Sequence, residues 1–232
     1  MNTDVAGNLA SLLARISAAA GRSMRDPSDI RLVAVTKTVG EDKILEAVEA
    51  GVDCIGENYV QHAKRKKERI GSAVQWHMIG HLQMNKAKAA VGVFDVIETV
   101  DDMSLAVDLE RFARQSSRSL EVLVQVNLSG EPSKSGVPPE KVLPLVQQIC
   151  GLQSLRCVGL MTIPPFFEDT ERTRPYFSAL RELREDLMAK GIPGLCLREL
   201  SMGMSSDFEV AIEEGATIVR IGRGLFGPRR TA

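Results

Sequence analysis

Lys37 stands directly behind the apolar run Leu32-Val33-Ala34-Val35 and Thr36. A lysine at the end of a buried strand rests its stem on the core and holds its amine partly out of water. That favours the neutral form, which can attack a carbonyl carbon. A lysine after a strand is more often a rim charge, so the position by itself leaves both roles open. A second group of candidates lies in Ser201-Met202-Gly203-Met204-Ser205-Ser206-Asp207 and Thr217-Ile218-Val219-Arg220-Ile221-Gly222. Ser205 and Ser206 open an expected helix, whose free N–H groups and dipole favour an anion such as a phosphate. Gly222 lets backbone approach a ligand closely. A helix cap at Ser206 or Asp207 followed by a tight turn accounts for the same residues, and the two readings are compatible.

Other chemistry is weaker. His77 and His81 form an H-x-x-x-H pair, but it spans a strand end and Gly80 rather than a helix face, with no matching carboxylate for a metal. Lys64-Arg65-Lys66-Lys67, with Glu68 beside it, reads as the solvated outer face of a helix. No Ser-His-Asp arrangement stands out.

The elements that must position these residues alternate. Apolar residues at helical spacing (Val5, Leu9, Leu12, Leu13, Ile16 and Ala20) predict a leading helix. Strands are expected at 32–35, 53–56, 75–79, 93–99, 121–127, 156–161, 196–201 and 217–221. Helical stretches are expected at 41–50, 58–70, 84–91, 102–118, 138–150, 168–190 and 206–214. Strict alternation implies a parallel sheet with right-handed crossovers. Eight units predict a closed (β/α)8 TIM-type barrel with an extra N-terminal helix, and a doubly wound open sheet is the alternative. No linker divides the chain, so residues 1–232 are expected to form a single domain. In either fold chemistry sits at the C-terminal strand ends. The polar residues standing there are Lys37, Glu57-Asn58, His77, His81, Glu98, Asn127, Thr162, Ser201, Ser205, Arg220 and Gly222.

Composition narrows the classes. Hydrophobic residues are 44% and charged residues 25%, which is ordinary for a globular protein and excludes a disordered or fibrous chain. A formal net charge of −1 gives no whole-molecule field for nucleic acid or anionic lipid. No apolar run approaches the ~20 residues that span a bilayer. The N-terminal segment reads as neither a signal nor a transit peptide. The cysteines Cys54, Cys150, Cys157 and Cys196 have no C-x-x-C or zinc spacing and read as buried, reduced thiols. A cytoplasmic location is expected.

The chain resembles the YggS/PROSC-type pyridoxal phosphate homeostasis proteins, whose fold is the barrel domain of alanine racemase. The motifs that carry the resemblance begin with Val33-Ala34-Val35-Thr36-Lys37, Gly56-Glu57-Asn58-Tyr59-Val60-Gln61 and Trp76-His77-Met78-Ile79-Gly80-His81-Leu82-Gln83 with Asn85-Lys86. They continue with Val126-Asn127, Ser133-Lys134-Ser135-Gly136 and Gly159-Leu160-Met161-Thr162-Ile163-Pro164, and end with Leu200-Ser201-Met202-Gly203-Met204-Ser205 and Val219-Arg220-Ile221-Gly222.

The resemblance implies that Lys37 carries pyridoxal 5′-phosphate (PLP) as an internal aldimine and that Asn58 lies near the ring. It likewise puts Ser201, Ser205 and Gly222 at the phosphate, Arg220 against the pyridine nitrogen, and Lys134 in a flexible loop near the site. Arg223 departs from the Thr or Ser that many members carry. The implied function is PLP homeostasis: a non-catalytic, monomeric carrier or buffer that serves apo-PLP enzymes and affects amino-acid and keto-acid balance. With Ala232 the last residue of the sequence, no second domain of the kind that completes an alanine racemase site is expected. The alternatives are a small PLP-dependent amino-acid racemase and a Schiff-base aldolase that uses Lys37 without cofactor.

Overall fold

Each expected apolar run forms a strand, and each strand pairs in parallel with the next until the last returns to the first. The computed structural model describes residues 4–131 and 134–228, so Ser133 of the Ser133-Lys134-Ser135-Gly136 motif lies outside the described residues. The order is α1 (Val5–Arg22), β1 (Arg31–Val35), α2 (Glu41–Glu49), β2 (Cys54–Glu57), α3 (Val60–Ile70), β3 (Gln75–Met78), α4 (Ala87–Val93) and β4 (Val96–Val100). It continues through α5 (Met103–Gln115), β5 (Leu120–Gln125), α6 (Pro139–Cys150), β6 (Leu155–Met161), α7 (Arg174–Ala189), β7 (Glu199–Met204), α8 (Phe208–Glu213), β8 (Ile218–Ile221) and α9 (Arg223–Phe226). Strands β1 to β8 form a closed barrel, sealed by the pairing of Leu32 with Val219 and Val33 with Arg220. The open-sheet alternative is thereby excluded.

The strands are apolar on both faces because both are covered. Alternate residues such as Leu32, Ala34, Ile55, Ile97, Leu200 and Val219 join the main core beneath the helices. The residues between them (Val33, Cys54, Val96, Leu123, Val158, Met161 and Ile218) form a separate cluster inside the barrel. α1 begins at Asp4, whose carboxylate accepts the backbone N–H of Gly7 at 2.8 Å. Its buried face of Val5, Leu9, Leu12, Ile16, Ala19 and Ala20 packs on α2, α8 and α9. Among the described residues no helix is long and apolar enough to cross a membrane.

Several boundaries differ from the sequence expectation. Val93 closes α4 instead of opening β4. Ser205 and Ser206 lie in a turn ahead of α8, which begins at Phe208. Strand β7 runs three residues later than expected. Its register is set where Glu199 passes Gly159: a Cβ on Gly159 would lie 2.2 Å from the Glu199 carbonyl oxygen, so only glycine permits that approach. The register then shifts between Ser201 and Met204, across Gly203 at φ 91°. Ser201 is consequently an inward-facing strand residue rather than a rim residue.

Candidate active site

The side chain of Lys37 is half-buried just beyond β1, and the backbone on both sides of it is constrained. Ahead of it, the Thr36 carbonyl accepts from the ammonium of Lys66 at 2.7 Å, and the Thr36 hydroxyl donates to Glu57 Oε1 at 3.0 Å. Behind it, Thr38 adopts φ 65°, a conformation that costs a non-glycine residue energy unless its surroundings enforce it. Lys66 and Glu57 form a buried ion pair with side-chain exposures of 3% and 0%. Glu57 Oε2 also accepts from the backbone N–H of Asn58 at 3.1 Å. One buried pair thus ties the residue before Lys37 to Asn58. The sequence reading of Lys66 as part of a solvated face is corrected here. Its position on the inward face of α3, with Val60, Ala63 and Ile70, was the signal available.

A polar layer fills the barrel one step above the small apolar cluster. Moving two residues along a strand returns to the same face: Cys54 to Gly56, Val96 to Glu98, Leu123 to Gln125, and Ile218 to Arg220. His77 and Ser201 complete this layer, and His77, Glu98 and Ser201 are fully buried. His77 Nδ1 lies 2.5 Å from Glu98 Oε1. The Ser201 hydroxyl donates to Glu98 Oε2 at 2.5 Å and accepts from Arg220 Nη1 at 2.5 Å. Arg220 Nη2 donates to the Thr162 carbonyl at 2.8 Å.

Burial works to lower the His77 pKa, but the neighbouring Cys54 and the Glu98 carboxylate outweigh it and raise the ring to about 10. Burial would raise Glu98, yet the hydrogen bond and charge of His77, with Arg220 and Ser201, hold it below the usual carboxylate range. Burial lowers Arg220 against the opposing pull of Glu98 and Asp207. Although Cys54 acts on the ring, His77 Nε2 has no hydrogen-bond partner of normal geometry.

The turn after β7 meets the start of α9. The backbone N–H of Gly224 donates to Ser205 Oγ at 3.2 Å, and Asp207 Oδ1 accepts from the Met204 N–H at 2.6 Å. A Cβ on Gly222 would lie 3.4 Å from the Cβ of Val35, so this turn abuts the end of β1. Arg223 is exposed at the first position of α9. Lys134 pairs with Glu131 at 3.1 Å in the loop after β5, where Asn127 and Gln125 donate to the Lys134 and Ser135 carbonyls.

Barrel closure therefore brings the six sequence candidates onto four adjacent strands. Ser201 and Ser205 belong to β7 and its turn, Arg220 and Gly222 to β8, Lys37 to β1 and Asn58 to β2. Ser201 sits with Arg220 and Glu98 deep in the barrel. His81 and Tyr59 are exposed, and no group of three metal-ligating side chains exists among the described residues. The residues that sequence reasoning left without a role are Glu98, His77 and Lys66. Glu98 was legible as an acid inside Val96-Ile97-Glu98-Thr99-Val100 at an inward period.

The set fits a ligand carrying an aldehyde, an aromatic ring nitrogen and a phosphate. It offers an amine, a buried guanidinium, and a turn of hydroxyl and backbone N–H groups beside a close-packed glycine. The amide oxygen of Asn58 is also buried without a partner, as expected where a ligand completes the bonding.

Residues 8–230 match the family described as "Alanine racemase, N-terminal domain". The chain is 43% identical over 223 residues to the "Pyridoxal phosphate homeostasis protein" of Aquifex aeolicus, covering 96% of this chain and 97% of that one. It is similar to the structure of PipY from Synechococcus elongatus PCC7942 with PLP bound, at TM-score 0.85 and 38% identity, covering 97% of this chain and 100% of that one. An alanine racemase of Clostridium difficile shares the fold at TM-score 0.75 and 16% identity, with 97% of this chain covering 58% of that one.

Proposed function

The chain belongs to the alanine racemase N-terminal domain family, among the pyridoxal phosphate homeostasis proteins, and from that premise we propose that it is a single-domain carrier of PLP, held on Lys37. The observation that carries this reading is the meeting of Lys37, Asn58, Arg220, Gly222 and Ser205 on adjacent strands of the closed barrel. PLP supplies an aldehyde that condenses with a primary amine, a ring nitrogen that accepts hydrogen bonds, and a phosphate.

The residues divide that work. Lys37 contributes the amine, with its backbone fixed by Thr36 and Lys66. Ser205 and Gly222 receive the phosphate, and Asn58 meets the ring with its unsatisfied amide oxygen. Arg220 can only donate. It leaves the ring nitrogen without a proton, which keeps the cofactor a weak electron sink. Ser201 orients Arg220 rather than touching the phosphate.

We read the protein as a non-catalytic, cytoplasmic monomer that passes PLP to apo-enzymes. Tyr59 is exposed, and His77 and Glu98 are committed to each other, so none of the three is placed to exchange a proton with a bound ligand. The test is absorbance of the purified protein with PLP, borohydride reduction and peptide mapping, followed by transfer to a PLP-dependent apo-enzyme. A label on Lys37 and release to the acceptor are expected. A label elsewhere, or Lys37-dependent racemisation at enzyme-like rates of about 1–1000 per second, would overturn the reading.

A further inference from the structure

The polar layer inside the barrel has no counterpart in the apolar cluster beneath it, and it is assembled around one carboxylate. Glu98 Oε1 takes His77 Nδ1 and Glu98 Oε2 takes the Ser201 hydroxyl, each at 2.5 Å. An ionised carboxylate only accepts, so Ser201 must spend its proton on Glu98 and present a lone pair to Arg220. Arg220 Nη1 donates into that lone pair, and Nη2 is fixed on the Thr162 carbonyl. Glu98 also lies 3.8 Å from Nη1 as the counter-charge. The orientation of the guanidinium is thus inherited from Glu98 through Ser201, and the strength of Glu98 depends on His77. A buried charged layer is seldom more stable than an apolar one of equal volume, so it is weak evidence for a purely structural role.

We propose that Glu98 is a positioning residue that aims and electrically balances Arg220, and that the His77 proton regulates how strongly it does so. This rests on the reading of Arg220 as the partner of the cofactor's ring nitrogen.

The groups facing this chain are few. Cys54 of β2 lies beside His77, and Gln125 of β5 lies in the same layer. Asp207, after β7, also acts on Arg220 through its charge. From β1 only Val33 and Val35 face it, and neither titrates. With His77 protonated the trio His77, Glu98 and Arg220 sums to one positive charge; with His77 neutral it sums to zero and Glu98 acts on Arg220 alone.

Two measurements test this. The first follows PLP binding and the visible absorbance of the bound chromophore from pH 6 to 10 in the wild type, Glu98→Gln, Glu98→Asp and His77→Asn, each checked for folding by circular dichroism. Glu98→Gln is expected to weaken binding by about tenfold and to move the absorbance transition by about one pH unit, with Glu98→Asp between it and the wild type. If Glu98→Gln fails to fold, His77→Asn carries the same test with a smaller shift. Wild-type affinity and an unmoved transition in the folded variants would overturn the proposal, because a merely structural layer would change only the melting temperature.

The second measurement needs no cofactor. The chain has three histidines, so His62→Gln and His81→Gln leave His77 as the one imidazole in a proton NMR titration. The ring is expected to stay protonated beyond pH 8, and to lose its proton at least about one unit lower when Glu98→Gln is added. Equal titration in both would overturn the coupling even if PLP binds. Failure of the wild type to take up PLP would overturn the carrier reading and the cofactor role of Arg220 together, while the His77 titration reports on the coupling by itself.

Discussion

The Lys66 ammonium lies 2.7 Å from the carbonyl oxygen of Thr36 and so fixes the backbone one residue ahead of Lys37. Because Lys66 also pairs with Glu57, which receives the backbone N–H of Asn58, two candidate site residues share a single buried anchor.

That anchor makes a sharp stability prediction. Glu57→Ala leaves a buried ammonium without its partner and is expected to cost about 3–5 kcal/mol in urea unfolding. The double variant Glu57→Leu/Lys66→Met should recover much of this stability while taking up PLP more slowly, since Thr36 is no longer held. A double variant that binds PLP as fast as the wild type would show that the anchor does not serve Lys37.

Lys37→Ala is expected to abolish the borohydride-reducible visible band and leave the circular dichroism unchanged, because the side chain is only half-buried. Persistence of a full-yield adduct would point to another amine, with Lys134 the first to map.

Gly80 supports Asn58 by standing aside from it. A Cβ there would lie 2.5 Å from the Asn58 carbonyl oxygen and 2.7 Å from its Cα, both backbone atoms that cannot swing away. Gly80→Ala is expected to cost about 1–3 kcal/mol through overpacking and to reduce PLP retention in dialysis. Unchanged retention would remove Asn58 from the binding set.

Stability should follow the His77–Glu98 pair through pH. The folded His77 pKa is raised to about 10, against an unfolded value of about 6.5. Its contribution is therefore fully present below about pH 6.5 and is lost as pH rises toward 10. Glu98 is shifted down, so its contribution is present above the ordinary carboxylate range and is lost in acid. Urea midpoints should fall between pH 7 and 10 in the wild type and stay flatter in His77→Gln. A Cys54→Ser control separates the cysteine's share, and parallel slopes in the wild type and His77→Gln would contradict the assignment.

What the sequence determined by itself follows from local periodicity. Short continuous apolar runs such as Leu32-Val33-Ala34-Val35, separated by helical spacing, dictate alternating parallel strands and helices, and the residues behind them dictate where chemistry can stand. Lys37, Arg220 and Gly222 were legible in this way, because each sits at or just beyond a readable strand end. What only the tertiary structure decided depends on partners far apart in the chain. Closure sets β8 beside β1, so that Gly222 meets Val35. Close packing at Gly159 moves β7 and turns Ser201 inward onto Glu98 and Arg220. Lys66 and Glu57, charged residues that hydropathy assigns to solvent, are buried because each supplies the other's counter-charge, and no local pattern records a partner on another element.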